Sequence, residues 1–212
     1  MANNNLAKLL CVESPFLTLS SLQAIFNLTR ESVRTAASRL VKKGILIRIC
    51  RDLYVVAGRK YSLFSLANAL HQPSVISLET ALNYWGLIVQ VPQIIFSVAL
   101  GSYQSNIDNT EFVYRRIDPS LFHFGQKKIE DFFIAEPEKA FLDTLYMKSK
   151  GLVELLPEDV DFCKLDDELI NFYSRLYPGV VNKMVRLFKE QSYEANEYIT
   201  TFWFHFASYD SL

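Results

Sequence analysis

The segment from Phe16 to Val56 constrains this chain most, because it sets four elements in an order that few architectures accommodate. Ser20 and Ser21 are candidate N-caps for a short helix in which Leu22, Ile25 and Phe26 share one face. Asn27 tolerates the left-handed conformation that stops such a helix, and Leu28 is expected to plug the turn against the core. Thr29 offers its hydroxyl to the first N–H groups of the next helix. From Arg30 to Lys43, Val33, Ala37, Leu40 and Val41 recur at helical spacing as a buried stripe, while Arg30, Arg34 and Ser38 recur every four residues on another face. Gly44 supplies the positive φ that ends this helix. Ile45 to Ile49 and Leu53 to Val56 then read as two β-branched, apolar strands joined through Cys50, Arg51 and Asp52, a hairpin with a charged tip.

Helix, tight turn, basic helix and basic hairpin, in that order, are the elements of a winged helix-turn-helix, and the charge gives the pattern a functional meaning. Residues 1–60 hold ten Lys/Arg against three acids, a net charge of +7, which leaves −8 on residues 61–212. The overall charge of −1 therefore hides a dipolar molecule with one face suited to nucleic acid. The fourteen residues from Arg30 to Lys43 rise roughly 21 Å at about 1.5 Å each, enough to lay the first half of the helix in a major groove. Arg30, Arg34, Thr35 and Ser38 are assigned to base edges or nearby phosphate, with Thr29 beside them at the helix start and Lys42 on the backbone further along. Arg48 and Arg51 are assigned to a flanking phosphate or the minor groove. A Lys/Arg-rich helix on its own is more often a solvated face; the order of the four elements carries the assignment.

A chain of 212 residues, half of them apolar, has room for two cores. The expected division is a winged helix-turn-helix DNA-binding domain over residues 1–60 and an α+β domain over residues 61–212, with Tyr61 to Leu70 a linking helix that belongs to either. Cys11, Cys50 and Cys163 are isolated and read as buried thiols in a reducing cytosol. The opening Met-Ala-Asn-Asn-Asn lacks the pattern of a signal peptide, and no uncharged apolar run approaches the ~18 residues of a membrane span. A soluble cytoplasmic protein without a membrane partner is expected.

In the second part, Ser77 is expected to cap a helix through Leu78, Ala81, Leu82 and Trp85 that Gly86 closes. Ile94 to Leu100, Glu111 to Ile117, Leu121 to Phe124 and Ile129 to Ala135 read as strands of a small, mainly antiparallel sheet, and Gly101 to Thr110 as a loop. Pro137 sits at a natural first helical position, and further helices are expected over Asp166 to Leu176, Gly179 to Gln191 and Tyr193 to Phe206. The fold class is therefore α+β, sheet first and helices after.

Four pieces of the chain resemble the AbiE-type antitoxins of type IV toxin-antitoxin systems: Gly44-Ile-Leu-Ile-Arg48 with Leu53-Tyr54-Val55; Pro73-Ser-Val-Ile-Ser77-Leu-Glu79-Thr-Ala81-Leu; Tyr84-Trp85-Gly86-Leu87; and Ala135-Glu-Pro137-Glu138-Lys139-Ala-Phe141-Leu-Asp143. The resemblance spans roughly residues 15 to 150. It implies a phage-defence protein whose winged helix represses its own operon by binding double-stranded DNA of its promoter. It also implies a C-terminal domain that neutralises a nucleotidyltransferase toxin without a stable complex. The DNA-binding role then falls on Arg30, Arg34, Thr35, Ser38, Arg48 and Arg51. In the family hairpin a glycine commonly stands where this chain has Asp52, which takes left-handed geometry less readily.

Two other readings compete. A winged-helix repressor with a small-molecule-sensing body would share the first 60 residues. A metal-dependent nucleic-acid-processing enzyme would recruit Glu79, Glu138 and Asp143, with Glu136 near them. The expected plain roles of these acids are favourable placement of Glu138 at a helix N-terminus and an i,i+4 pair of Asp143 with Lys139. His71, His123 and His205 have no Cys, Asp or His at ligand spacing, and the seven glycines form no phosphate loop, so no metal, cofactor or catalytic activity is expected. The acidic run Asp159, Asp161, Asp166, Asp167 and Glu168 reads as a solvated loop and helix start. Tyr198, Phe202, Trp203, Phe204 and Phe206 read as core, with a homodimer or partner surface as the alternative.

Overall fold

In the computed structural model, which describes residues 8–9 and 11–191, Phe16–Thr18 forms a short strand, β1, to which the sequence pattern assigns no element. Three residues are too few to show a period. The helix itself, α1 (Leu19–Phe26), is capped by Thr18 rather than Ser20 or Ser21: Thr18 Oγ1 accepts from Ser21 N at 3.0 Å. Asn27 stops it in the left-handed region at φ 52°. Leu28 does not plug the turn but stays 38 % exposed, while Leu22 and Phe26 are buried. The second helix, α2 (Arg30–Lys42), is capped by Thr29, and closes through Gly44 (φ 69°): Gly44 N donates to Val41 O at 2.9 Å and Ile45 N to Leu40 O at 3.0 Å. That paired arrangement satisfies two carbonyls that the helix end would otherwise orphan.

The hairpin strands β2 (Leu46–Cys50) and β3 (Leu53–Val56) join β1 in a three-stranded antiparallel sheet of order β1-β3-β2. Both faces of β3 are buried, and its alternation divides them between two apolar clusters. Tyr54 and Val56, with Leu17 and Leu46, close over the helices with Leu22, Phe26, Val33 and Ala37. Leu53 and Val55, with Phe16, instead join the cluster of the rest of the molecule, among them Leu66, Val75 and Phe132.

The second sheet has six strands in the order β6-β7-β5-β4-β9-β8: β4 (Ser74–Ile76), β5 (Ile94–Ala99), β6 (Tyr103–Ile107), β7 (Thr110–Arg116), β8 (Gln126–Ile129) and β9 (Phe132–Ala135). Three pairings are antiparallel, but β5 with β7 and β4 with β9 run parallel, so the sheet is mixed. Two expectations are corrected here. The stretch from Gly101 to Thr110 is no loop: β6 is a polar edge strand, turned into β7 through Asp108 and Asn109 at positive φ. Leu121 to Phe124 is no strand: Asp118 caps a short helix, α5 (Pro119–Phe122), with Pro119 in its first turn.

The helices α3 (Leu63–Leu70) and α4 (Leu78–Tyr84) both pack on the sheet, so the linking helix goes with the six-stranded part. Asn68 fixes α3 by donating to Ser74 O at 3.1 Å and accepting from Phe133 N at 2.6 Å, and Trp85 Nε1 donates to Ala135 O at 2.8 Å. Against α4 lies α6 (Pro137–Lys148), whose residues from Glu138 to Met147 are all buried. It is a central helix, apolar wherever it is not internally paired. Then α7 (Asp167–Ser174), capped by Asp166, and a helix over residues 179–191, α8, complete the layer. The expected helix Tyr193 to Phe206 and its aromatic stripe lie outside the described residues. The three cysteines are free thiols but not buried: Cys11 and Cys163 are exposed and Cys50 half-buried. Among the described residues no helix is long and apolar enough to cross a membrane.

Candidate nucleic-acid interface

Along α2, Arg30, Arg34, Ser38 and Lys42 follow one another at intervals of four and all are exposed, so they form a single row of donors. Thr29 and Thr35 are exposed too, but their hydroxyls are engaged. Thr29 Oγ1 accepts from Ser32 N at 3.4 Å and donates to Ser32 Oγ at 3.0 Å. Thr35 Oγ1 donates to Glu31 O at 3.2 Å. With its proton held by its own helix, Thr35 offers a lone pair, which suits a base amino group and not a phosphate oxygen.

The hairpin turns in two residues, Arg51 and Asp52, since Cys50 faces Leu53 across the strands after an irregularity beyond Arg48. Asp52 takes the positive φ of 62° that the turn demands. Its carbonyl accepts from Leu19 N at 3.0 Å, which fixes the hairpin tip to the head of α1. Arg48 Nε donates to Cys50 O at 3.2 Å, while Arg51 is exposed at the tip. Between α2 and the hairpin opens a cleft of about 390 Å3, lined by Arg34, Ser38, Arg48, Arg51, Asp52 and Tyr54. Asp52 also reaches across it: its Oδ2 is 3.8 Å from Nη2 of Arg30 and 3.8 Å from Nη2 of Arg34. Of the predicted contact residues, the cleft gathers Arg34, Ser38, Arg48 and Arg51, with Arg30 joined through Asp52. Lys42, Thr29 and Thr35 stand outside it. Arg59, counted in the basic face, is spent internally: its guanidinium donates to the carbonyls of Val12, Ser14 and Leu9.

A second concentration of polar groups lies deep in the body. Lys139 and Asp143 do form the expected i,i+4 pair, at 2 % and 0 % exposure. Ser77, expected to cap α4, makes no such bond; its hydroxyl donates to Asp143 Oδ2 at 2.8 Å, and the Tyr177 hydroxyl donates to Asp143 Oδ1 at 2.7 Å. Burial lowers the Lys139 pKa and raises that of Tyr177 well above its ordinary value, the Asp143 charge opposing the first shift and adding to the second. Glu138 accepts from Asp166 N at 2.9 Å and Glu136 from the Tyr173 hydroxyl at 2.7 Å. Glu79 stands apart near Arg115, its pKa raised by burial. Glu136, Glu138 and Asp143 are thus each engaged in a different contact, while Glu79 Oε2 is buried without a hydrogen-bond partner among the described residues. The acidic run likewise serves turns and caps: Asp166 accepts from Glu168 N at 2.9 Å and Leu169 N at 3.1 Å, and Asp161 from Cys163 N at 3.2 Å.

No protein-family model matches the chain, and no curated protein does. Among solved structures, it is similar to the crystal structure of the RV2827C protein from Mycobacterium tuberculosis, with a TM-score of 0.50 over 85 % of this chain and 73 % of that one. At 11 % identity, the likeness is one of fold.

Two parts of these sites were not foreseen. Asp52 entered the sequence argument only as a turn residue, although an acid between Arg51 and the row Arg30, Arg34 was there to be weighed as their counter-ion. The bonds of Ser77 and Tyr177 to Asp143 join positions 66 and 34 residues apart, and only the packed fold brings them together.

Proposed function

We propose that the chain is a DNA-binding transcriptional regulator whose first 60 residues act as a winged helix-turn-helix. We read it as an AbiE-type antitoxin that represses its own operon and neutralises a nucleotidyltransferase toxin through residues 61–212. The observation that carries the regulator reading is the cleft that gathers Arg34, Ser38, Arg48 and Arg51 between the exposed row of α2 and the hairpin tip. Arginine on a helix suits guanine edges, and arginine on a hairpin suits phosphate or a narrow minor groove. The antitoxin reading has its support in the resembling segments around Ser77 and Glu136 to Asp143, which meet at the buried network of α4 and α6. That network has the character of a fastening: its members are buried and bonded to one another, and no catalytic role is assigned to them.

Fluorescence-anisotropy binding to the DNA upstream of the gene, against a scrambled duplex across a salt series, tests the regulator reading. Tight, selective binding is expected; weak and equal binding to both duplexes would sink it. The antitoxin reading is tested by co-expression with a nucleotidyltransferase encoded beside the gene. Growth inhibition relieved by the full chain, and still relieved by an Arg34→Ala variant that no longer represses, is the expected result.

A second reading has an observation of its own. A cavity of about 590 Å3 lies between the three-stranded sheet and the body, with Thr18 and Ser21 on one side and Ser65, Asn68, Gln126 and Asp131 on the other. A small molecule there would touch both parts of a repressor. Operator affinity that changes when cell extract is added, and no longer changes once the extract is dialysed, would favour this reading over the antitoxin.

A further inference from the structure

We infer that Asp52 is a built-in competitor for a duplex phosphate: its carboxylate occupies the place between α2 and the hairpin where a DNA backbone oxygen would be held, and it must be displaced when the chain binds. The inference rests on the regulator reading and identifies what opposes it. Three observations carry it. Among the described residues, the carboxylate is the one acid lining a cleft that also holds Arg34, Arg48 and Arg51. Through a single oxygen, Oδ2, it approaches both Arg30 and Arg34 at 3.8 Å, a spacing at which a phosphate oxygen would replace it charge for charge. Its backbone is pinned independently, by the carbonyl that accepts from Leu19 N at 3.0 Å, so rotation of a short side chain vacates the site without moving the tip.

The energetic balance favours release. With the two guanidinium side chains 67 % and 49 % exposed and the carboxylate 33 % exposed, the Asp52 contacts belong to the weak, salt-screened class of ion pair. A phosphate brings the same single charge, and its binding releases counter-ions condensed on the duplex, which the carboxylate does not. The acid also repels the backbone while it remains nearby. The consequence is a brake that acts on backbone affinity and is blind to sequence, which keeps a strongly basic face from settling on every duplex it meets.

The test uses the full chain carrying Asp52→Asn, which removes the charge and keeps a side chain that tolerates the left-handed turn. Anisotropy titrations with the upstream duplex and a scrambled duplex, across a salt series, are expected to show affinity raised about fivefold for both at moderate salt. The salt slope should steepen by about 0.9, as for one further phosphate neutralised. Asp52→Glu, which keeps the charge, should stay near the wild type, and unaltered thermal midpoints show that all three chains are folded. If the wild type binds selectively and Asp52→Asn matches it or binds more weakly, the competitor is overturned while the regulator reading stands. If neither chain binds either duplex, both fall together. A gain on the upstream duplex alone would make Asp52 a base-selecting residue and overturn the brake.

Discussion

Arg34 and Arg51 carry the same charge in different settings, and the settings assign them different work. Arg34 projects from the middle of a capped helix whose axis is fixed by Val33 and Ala37 in the core. Arg51 extends from a two-residue turn. Arg34→Ala should therefore relax discrimination between the upstream and scrambled duplexes, by about 1–3 kcal/mol for a bidentate contact. Arg51→Ala should weaken both equally and shallow the salt slope by about one unit. Unchanged selectivity in the first variant, or an unchanged slope in the second, would remove that residue from the interface. Gly125 makes a separate point about stability. It sits at φ 61°, and a Cβ there would lie 2.9 Å from Lys139 Cβ and 3.2 Å from the Tyr173 ring. Gly125→Ala should cost about 1–3 kcal/mol in urea unfolding, from backbone strain and overpacking together; a neutral result would mean that Lys139 moves freely in its pocket. Residues with local jobs were legible in the sequence: Asn27 as a stop, Thr29 as a cap, Gly44 as a closer. Leu28 and the cysteines were not, because exposure depends on which neighbours fill the core first.

At the scale of elements, α6 is held by charge inside an apolar core. Asp143 receives bonds from Ser77 at the head of α4, from Tyr177 before α8 and from Lys139 on its own helix, so one carboxylate fastens three segments. Removing it leaves an ammonium at 2 % exposure without the one carboxylate that pairs with it among the described residues. Asp143→Ala should lose about 3–5 kcal/mol, whereas Lys139→Met combined with Asp143→Leu should recover most of that loss. Equal destabilisation by the single and double variants would mean that the hydroxyls, and not the ion pair, do the fastening. The sequence displayed α2 through its helical period, α6 through Pro137 and the apolar residues that follow it, and β5 and β7 through their β-branched and aromatic composition. It concealed β6, whose polar edge offers no apolar alternation, and β4, whose three residues are too few. The Asp118-Pro119 start of α5 was legible as a cap followed by a first-turn proline, but apolar Leu121, Phe122 and Phe124 read more loudly as a strand. For the same reason the Asp143 network was half visible: the i,i+4 pair is local, and its hydroxyl partners are not.

Across the whole molecule, charge and packing pull in opposite directions. Net charge changes from +7 to −8 at residue 60, which reads as a boundary between two domains. Packing runs through that boundary: Phe16, Leu53 and Val55 of the three-stranded sheet share one apolar cluster with Leu66, Val75 and Phe132, and the Phe16 and Tyr61 rings meet edge to face at 4.9 Å. A strand buried on both faces, as β3 is, cannot release one of them without exposing these side chains, so the basic end should not melt independently of the body. The expected outcome is a single transition in calorimetry, with fluorescence and circular dichroism falling together. Phe16→Ala, removing a side chain only 8 % exposed, should lower stability by about 3–5 kcal/mol and shift both probes by the same amount. Two separate transitions, with the second untouched by Phe16→Ala, would show that the charge boundary is the structural one. A single transition would mean that contacts made in the body are felt at the sheet that carries the hairpin and hence at the cleft. Under that outcome Asp143→Ala, at a residue that does not line the cleft, should weaken duplex binding near its own melting temperature and leave it intact well below.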